Sequence, residues 1–208
     1  MPLDRNYERN VFVNCPFDDE YTPLFEAMIF TILDCGFRPL CARARMNSAE
    51  LRLDKIMEMI RDSRFSIHDL SRTGLDARSS LPRFNMPFEL GIALGCSRFG
   101  AGKQRLKSIM VLDARRHRYQ RFISDIAGQD ISEHRNSVPR IITVVRDWLR
   151  TESDIEMPGA EFIVQHYRAF RRAIDRFAGS VRLNAERLTY ADYCFTISEW
   201  LAQTRAER

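Results

Sequence analysis

A doubly wound α/β fold, with a mostly parallel sheet and a helical C-terminal extension, is predicted by three features of the sequence. Short β-branched or alternating runs recur at residues 11–13, 37–42, 65–71 and 108–113. Helical apolar spacings fill the intervals between the first of these runs, and parallel strands need such crossover helices. Beyond residue 113 helical patterns dominate, with at most a short edge strand near residues 130–134.

Taken in order, Val11-Phe12-Val13 reads as a buried strand that runs into the turn-prone Asn14-Cys15-Pro16-Phe17-Asp18-Asp19. Across residues 21–33, Leu24, Met28 and Leu33, with Phe25, Ile29 and Ile32 beside them, recur at helical spacing, and Gly36 stands where a C-terminal cap belongs. Residues 37–42 form strand two and residues 43–47 a loop, after which Ser48 is placed to cap a second helix. Leu53, Ile56, Met57 and Ile60 make the apolar stripe of that helix, while Arg52, Asp54, Lys55, Glu58 and Arg61 face away. The alternation in residues 65–71 predicts a third strand that carries Asp69 and Ser71 into a loop. Residues 72–83, with Gly74, Ser79, Ser80 and Pro82, are a candidate lid.

Residues 85–97 then read as a helix capped by Asn85, with Pro87 tolerated in the first turn. Phe88, Leu90, Ile92, Ala93 and Leu94 make it apolar on nearly every side, which predicts a largely buried helix. Residues 108–113 supply a fourth strand. Ile141, Ile142, Val145, Trp148 and Leu149 give the next helical stripe, and residues 162–177 and 191–201 carry similar patterns. The chain is expected to divide into a nucleotide-binding α/β unit, residues 1–135, and a helical extension, residues 136–208, packed on it.

Composition narrows the function. With 208 residues, 45% hydrophobic and 29% charged, the chain can bury one sizeable core without disulfides or metals. Its longest apolar stretch falls far short of the roughly 20 residues that cross a bilayer, and the N-terminus has no apolar export signal, so a cytoplasmic protein is expected. Five cysteines, odd in number and never spaced as CxxC, suit buried thiols in a reducing compartment. The net charge of +4 is modest, and the basic run Arg115-Arg116-His117-Arg118 has no interleaved stacking aromatics, which argues against a nucleic-acid partner.

In open parallel sheets ligands bind beyond the carboxyl ends of the strands. The loops there carry residues 14–19, 43–47 and 69–71, and the approach to Glu89. A carboxylate in the first turn of a buried helix is favoured as an anion by the helix dipole, so Glu89 is expected to face the cleft ionised. It can instead satisfy free amides at the helix start, and Asp69 can cap the turn after its strand. Against the first alternative stands the apolar setting of Glu89, where a charge is costly without a partner or a task. His68, opposite in facing to Asp69, reads as a core or interface histidine. His117, Asp125, Asp130 and His134 are too irregularly spaced to compel a metal site.

The segment from Val11 to Asp19 resembles the opening strand and loop of TIR domains, and residues 60–71 are similar to their helix-to-strand segment ending in serine. Phe88-Glu89-Leu90 resembles the segment around the glutamate with which TIR enzymes cleave NAD. The run Glu89-Leu90-Gly91-Ile92-Ala93 also resembles the Glu-x-Gly-x-Ala signature of nucleoside 2-deoxyribosyltransferases, whose glutamate is the nucleophile. The resemblance covers residues 8–113. Asn14 stands where TIR domains usually have serine, and Asn85-Met86-Pro87 replaces their common tryptophan.

The resemblance implies a flavodoxin-like, TIR-like fold and breakage of an N-glycosidic bond, with Glu89 stabilising or capturing the ribosyl cation and Asp69 assisting. Asn14, Phe17, Asp18, Arg43, Ser71 and Asn85 are the expected substrate-binding residues. No cofactor is implied, because NAD or another nucleotide enters as substrate. A nucleoside 2-deoxyribosyltransferase-like N-glycosidase and a non-catalytic nucleotide-sensing assembly module are the alternatives. The leading reading places the chain in defence or signalling as a homodimer or larger self-assembly. Its contacts are expected to involve the apolar stripes of the second half.

Overall fold

The computed structural model describes residues 6–75 and 80–206. Five strands form one sheet in the order β2-β1-β3-β4-β5: β1 Asn10–Asn14, β2 Arg38–Leu40, β3 Phe65–Asp69, β4 Ser108–Asp113 and β5 Ile131–Glu133. Every pairing is parallel. This is the doubly wound, flavodoxin-like arrangement, and the edge strand near residue 131 completes it in the same direction as the rest. The chain steps outward from β1 to β2 and then crosses to β3, so the strand order reverses at β1. Crevices for ligands open at such a point.

Helix α1, Thr22–Asp34, has Pro23 in its first turn, where no intrahelical donor is lost. It ends as expected at Gly36, whose φ of 80° suits a residue without Cβ, while the Phe37 N–H reaches back to the Ile32 carbonyl. Helix α2, Arg52–Arg61, starts later than the Ser48 cap predicts: Leu51 stands at its N-cap and no side chain caps it. Helix α3, Asn85–Phe99, likewise begins at Asn85, with Phe84 at the cap position, so Asn85 is the first helical residue and caps nothing. Helices α4, Val138–Glu152, α5, Ala160–Ser180, and α6, Tyr190–Ala206, follow. At the start of α4 the Ser137 hydroxyl accepts from the Arg140 N–H.

The two faces of the sheet are covered unequally. On one, α1 and α4 pack on the strands, and α5 and α6 add a second layer against α1. A single apolar cluster runs from Val11 and Phe65 of the sheet through Met28, Phe30, Ile141 and Val145 to Phe170, Ile197 and Leu201. Most of the helical stripes of the second half are therefore spent inside the molecule, with Phe195 left exposed. Tyr193 Oη donates to the Glu26 carbonyl and Tyr190 Oη to the Pro39 carbonyl, at 3.2 and 2.8 Å. His166 Nδ1 lies 2.8 Å from Asp34 Oδ2 at the end of α1.

On the opposite face α2 and α3 cover β1, β3 and β4 through Ile56, Met59, Ile60, Leu90 and Ala93, and Tyr119 and Ile126 from the segment between β4 and β5 pack beside them on Val111 and Ile131. The expectation of a largely buried α3 is corrected here. Phe88 is exposed and Ile92 and Leu94 are half-buried, because among the described residues no further helical layer lies outside this helix. No helix is long and apolar enough to cross a membrane among the described residues.

Candidate functional site

A cleft of about 440 Å³ opens at the carboxyl end of β1, between the loop that follows it and the start of α3. Its position follows from the sheet order, and its floor is fixed by one side chain. The Asn14 amide donates to the Met86 carbonyl and lies 3.0 Å from His68 Nδ1, each contact 3.0 Å long and buried. Burial, with the Lys107 charge adding to it, pushes the His68 pKa down to about 3. The ring is therefore neutral, and Nδ1 accepts from Asn14. Strand β1, strand β3 and the first turn of α3 are thus tied at one point.

Glu89 lines this cleft with only 6% of its surface exposed. It stands in the second turn of α3, not the first, and no acid lies in the first turn. The expected anion is corrected accordingly: burial raises its pKa to about 7, and the opposing charge of Arg52 offsets this only in part. Near neutral pH both protonation forms are populated.

Asn85, Phe17 and Asp18 also line the cleft. Asp18 is partly committed, since its Oδ1 accepts from the Tyr21 N–H at 3.0 Å and so shapes the entry to α1. Arg43 lies behind the wall. Its guanidinium stacks 4.7 Å from the centre of the Phe17 ring and donates to the Phe17 carbonyl at 3.0 Å, facing a separate cavity between α1, α5 and α6.

Asp69 and Ser71 are not brought to this cleft. Asp69 is wholly buried and receives the Tyr21 hydroxyl at 2.7 Å on Oδ2 and the Ser71 N–H at 2.8 Å on Oδ1. His134 Nε2 stands 3.1 Å from Oδ2, while its Nδ1 accepts from the Asn136 N–H at 3.1 Å. Burial alone would raise the Asp69 pKa. His134, Ser71 and Tyr21 together outweigh it, and the pKa is lowered. Asp69 thus brackets β3, the start of α1 and the turn after β5, which is an architectural task.

Two cleft residues escaped sequence reasoning. Arg52 was expected to face away from its helix's apolar stripe, and it does. That direction leads into the cleft, because α2 begins beside the loop after β1. Arg83 also lines it, from the end of the segment expected as a lid. The base of that segment is closed by an antiparallel bridge between Leu75 and Pro82, and Thr73 is buried with its hydroxyl donating to the Leu70 carbonyl. Residues 76–79 of the expected lid lie outside the described residues. Among the described residues no group of three or more His, Cys, Asp or Glu side chains is arranged to hold a metal ion.

The arrangement can therefore hold an anionic ligand between arginines at the mouth and present it to one buried carboxyl group. Comparison with family models, with curated proteins and with solved structures finds no match to this chain.

Proposed function

We propose that this chain is a TIR-like, nucleotide-binding enzyme that cleaves the N-glycosidic bond of NAD at Glu89. The observation that carries the reading is the placement of Glu89: a carboxyl group almost removed from solvent, on the wall of an open cleft at the switch point of the sheet. Such a group has lost most of its hydration, so its charge acts strongly on whatever forms beside it.

In NAD the nicotinamide ring is cationic. Its positive charge beside Glu89 would draw the carboxyl toward its ionised form on binding. As the ribosyl C–N bond breaks, the bonding electrons leave with nicotinamide, which departs neutral, and the ribosyl carbon becomes an oxocarbenium-like cation. The Glu89 carboxylate stabilises that cation or captures it. Water then adds to the carbon and gives up a proton, so the products are nicotinamide, ADP-ribose and H⁺. Arg52 and Arg83 suit the phosphates, Asn85 a ribose hydroxyl and Phe17 a ring face. The two arginines favour a phosphate-bearing substrate over the bare nucleoside of a 2-deoxyribosyltransferase.

The test is to incubate the purified protein with NAD and a panel of nucleotides and to follow free nicotinamide or base by chromatography. Release that disappears in Glu89→Gln supports the reading. Absence of cleavage across the whole panel overturns it.

A further inference from the structure

Four of the five strands begin at a cation. Arg9 immediately precedes β1, Arg38 opens β2, Arg64 precedes β3 and Lys107 precedes β4. Every pairing is parallel, with Asn10 opposite Arg38, Val11 opposite Phe65 and Phe65 opposite Ser108, so these cations share one end of the sheet. The row spans three strand spacings, about 14 Å. It lies at the end opposite the cleft.

Helix α3 runs from the cleft to this end and brings Arg98 and Phe99 there, and the short turn Gly102–Leu106 adds Arg105 and Leu106. An open hollow of about 660 Å³ lies beside the start of β4, lined by Arg98, Arg105 and Lys107 together with Ser97 and Gln129. Among the described residues no acid lines it. The acids nearby have other partners: Glu8 pairs with Arg64 and Lys103, and Asp62 with Arg61. Beside these cations Phe99 is 90% and Leu106 62% exposed. Their loop is fastened, since the Tyr7 hydroxyl donates to the Lys103 carbonyl at 2.7 Å and the buried Gln104 amide to the Arg61 carbonyl at 2.8 Å. Helix ends account for some of the charge. Arg9 donates to the Gly36 carbonyl, Arg105 to the Gly100 carbonyl and Lys107 to the carbonyls of Ile60 and Ser63, as suits the negative ends of helices. Capping leaves the excess of positive charge in place, and it gives no reason for a phenylalanine and a leucine standing in water among arginines.

We infer that this end of the molecule docks peripherally on an anionic phospholipid bilayer, with a lipid phosphate in the hollow and with Phe99 and Leu106 entering the headgroup boundary. Three cations, a hydroxyl and an amide form a donor set that suits a phosphate. A row of cations along one sheet end faces a broad anionic partner, and apolar side chains set among arginines are the mixture that anchors a protein at a membrane interface without crossing it. A nucleic acid would call for aromatic rings on which successive bases stack, and Leu106 cannot serve so. Glu89 stands ten positions before Phe99 on α3, about 15 Å along the helix axis, so the cleft stays open to solvent on the bound protein. The inference stands independently of the proposed reaction.

Flotation of the full chain with vesicles of phosphatidylcholine alone, and of phosphatidylcholine mixed with phosphatidylglycerol, tests this. The expected result is binding to the mixed vesicles only, weakening as salt is raised. Each cation near an anionic leaflet contributes about fivefold to partition, so Arg98→Gln/Arg105→Gln should weaken binding about 25-fold. Phe99→Ser/Leu106→Ser, which alters no charge, should weaken it by about tenfold or more. Arg115→Gln/Arg116→Gln, the same loss of charge at the opposite end, should leave it nearly unchanged, with circular dichroism and melting showing that each variant is folded. Four outcomes would each overturn the inference: no binding to either vesicle, equal binding to both, full binding by Phe99→Ser/Leu106→Ser, or capture of a single-stranded oligonucleotide in preference to the mixed vesicles.

Discussion

The Asn14 amide and the Met86 carbonyl lie 3.0 Å apart in a buried contact that joins the carboxyl end of β1 to the first turn of α3. This bond sets where α3 enters, and hence where Glu89 stands relative to the loop after β1. Asn14→Ala would leave the Met86 carbonyl and His68 Nδ1 without their donor. A buried group left unsatisfied costs about 1–3 kcal/mol, so a loss of about 2 kcal/mol is expected in urea denaturation. A variant as stable as the parent would show that the contact does not hold the helix start.

Glu89→Gln should lower N-glycosidic cleavage by about 10²–10³-fold, the usual effect of removing one electrostatic partner of a transition state. For the parent, kcat/KM should rise with pH through about 7, as the free enzyme gains the carboxylate form. A flat profile between pH 5 and 8 would exclude Glu89 as the ionising group.

The same group makes a prediction about stability. The Glu89 pKa is raised on folding from its ordinary 4.5 to about 7. Between those values the folded state holds the proton that the unfolded state has released, so the Glu89 contribution to stability declines as pH rises through this window. Glu89→Gln has no such penalty. Its melting temperature relative to the parent should therefore increase from pH 4.5 to pH 7 and change little above, as read by differential scanning calorimetry. An offset that is constant with pH would contradict the burial of the charge.

Asp69→Ala should act on the fold and not on the ligand. It strands Tyr21, His134 and the Ser71 N–H at once, and breaking a buried charged network costs about 3–5 kcal/mol. Denaturation should register that loss, while calorimetric affinity for a nucleotide, measured on the folded fraction, stays within a few-fold. A large affinity change with little loss of stability would return Asp69 to the site.

Phe170, fully buried in α5, packs its ring 5.3 Å from Phe30 and 5.5 Å from Trp200. Phe170→Ala should cost about 3–5 kcal/mol. Since these rings belong to α1, α5 and α6, far- and near-ultraviolet dichroism should follow one shared transition. Two separated transitions would show that the helical half unfolds by itself.

Much of the fold was legible because strand and helix periods are local. Val11-Phe12-Val13, the alternation before Asp69 and the cap at Gly36 each announce themselves within a few residues. The site was harder to read. The apolar run through Phe88 and Ile92 implies burial only if something lies on both sides of α3, and the sequence carries no mark that the second layer falls on the other face of the sheet. Arg52 was read correctly against its own helix, but its destination depends on where that helix docks. His134 sits 65 positions from Asp69, and no spacing rule spans such a gap. Glu89 lines the cleft as its position in the sequence led one to expect, while its protonation was misjudged because the loss of hydration at 6% exposure outweighs a helix dipole felt from the second turn.

The burial of α1 on almost every side has a consequence for synthesis. Its apolar residues leave the ribosome well before Tyr193, Ile197 and Trp200, which help to cover their outer flank. Until α6 is made this helix has the sheet to lie on and only part of its roof. A nascent or truncated chain ending before Tyr190 would carry the Trp200-facing flank of Phe30 uncovered, making it a client for chaperones and a nucleus for aggregation until α6 arrives.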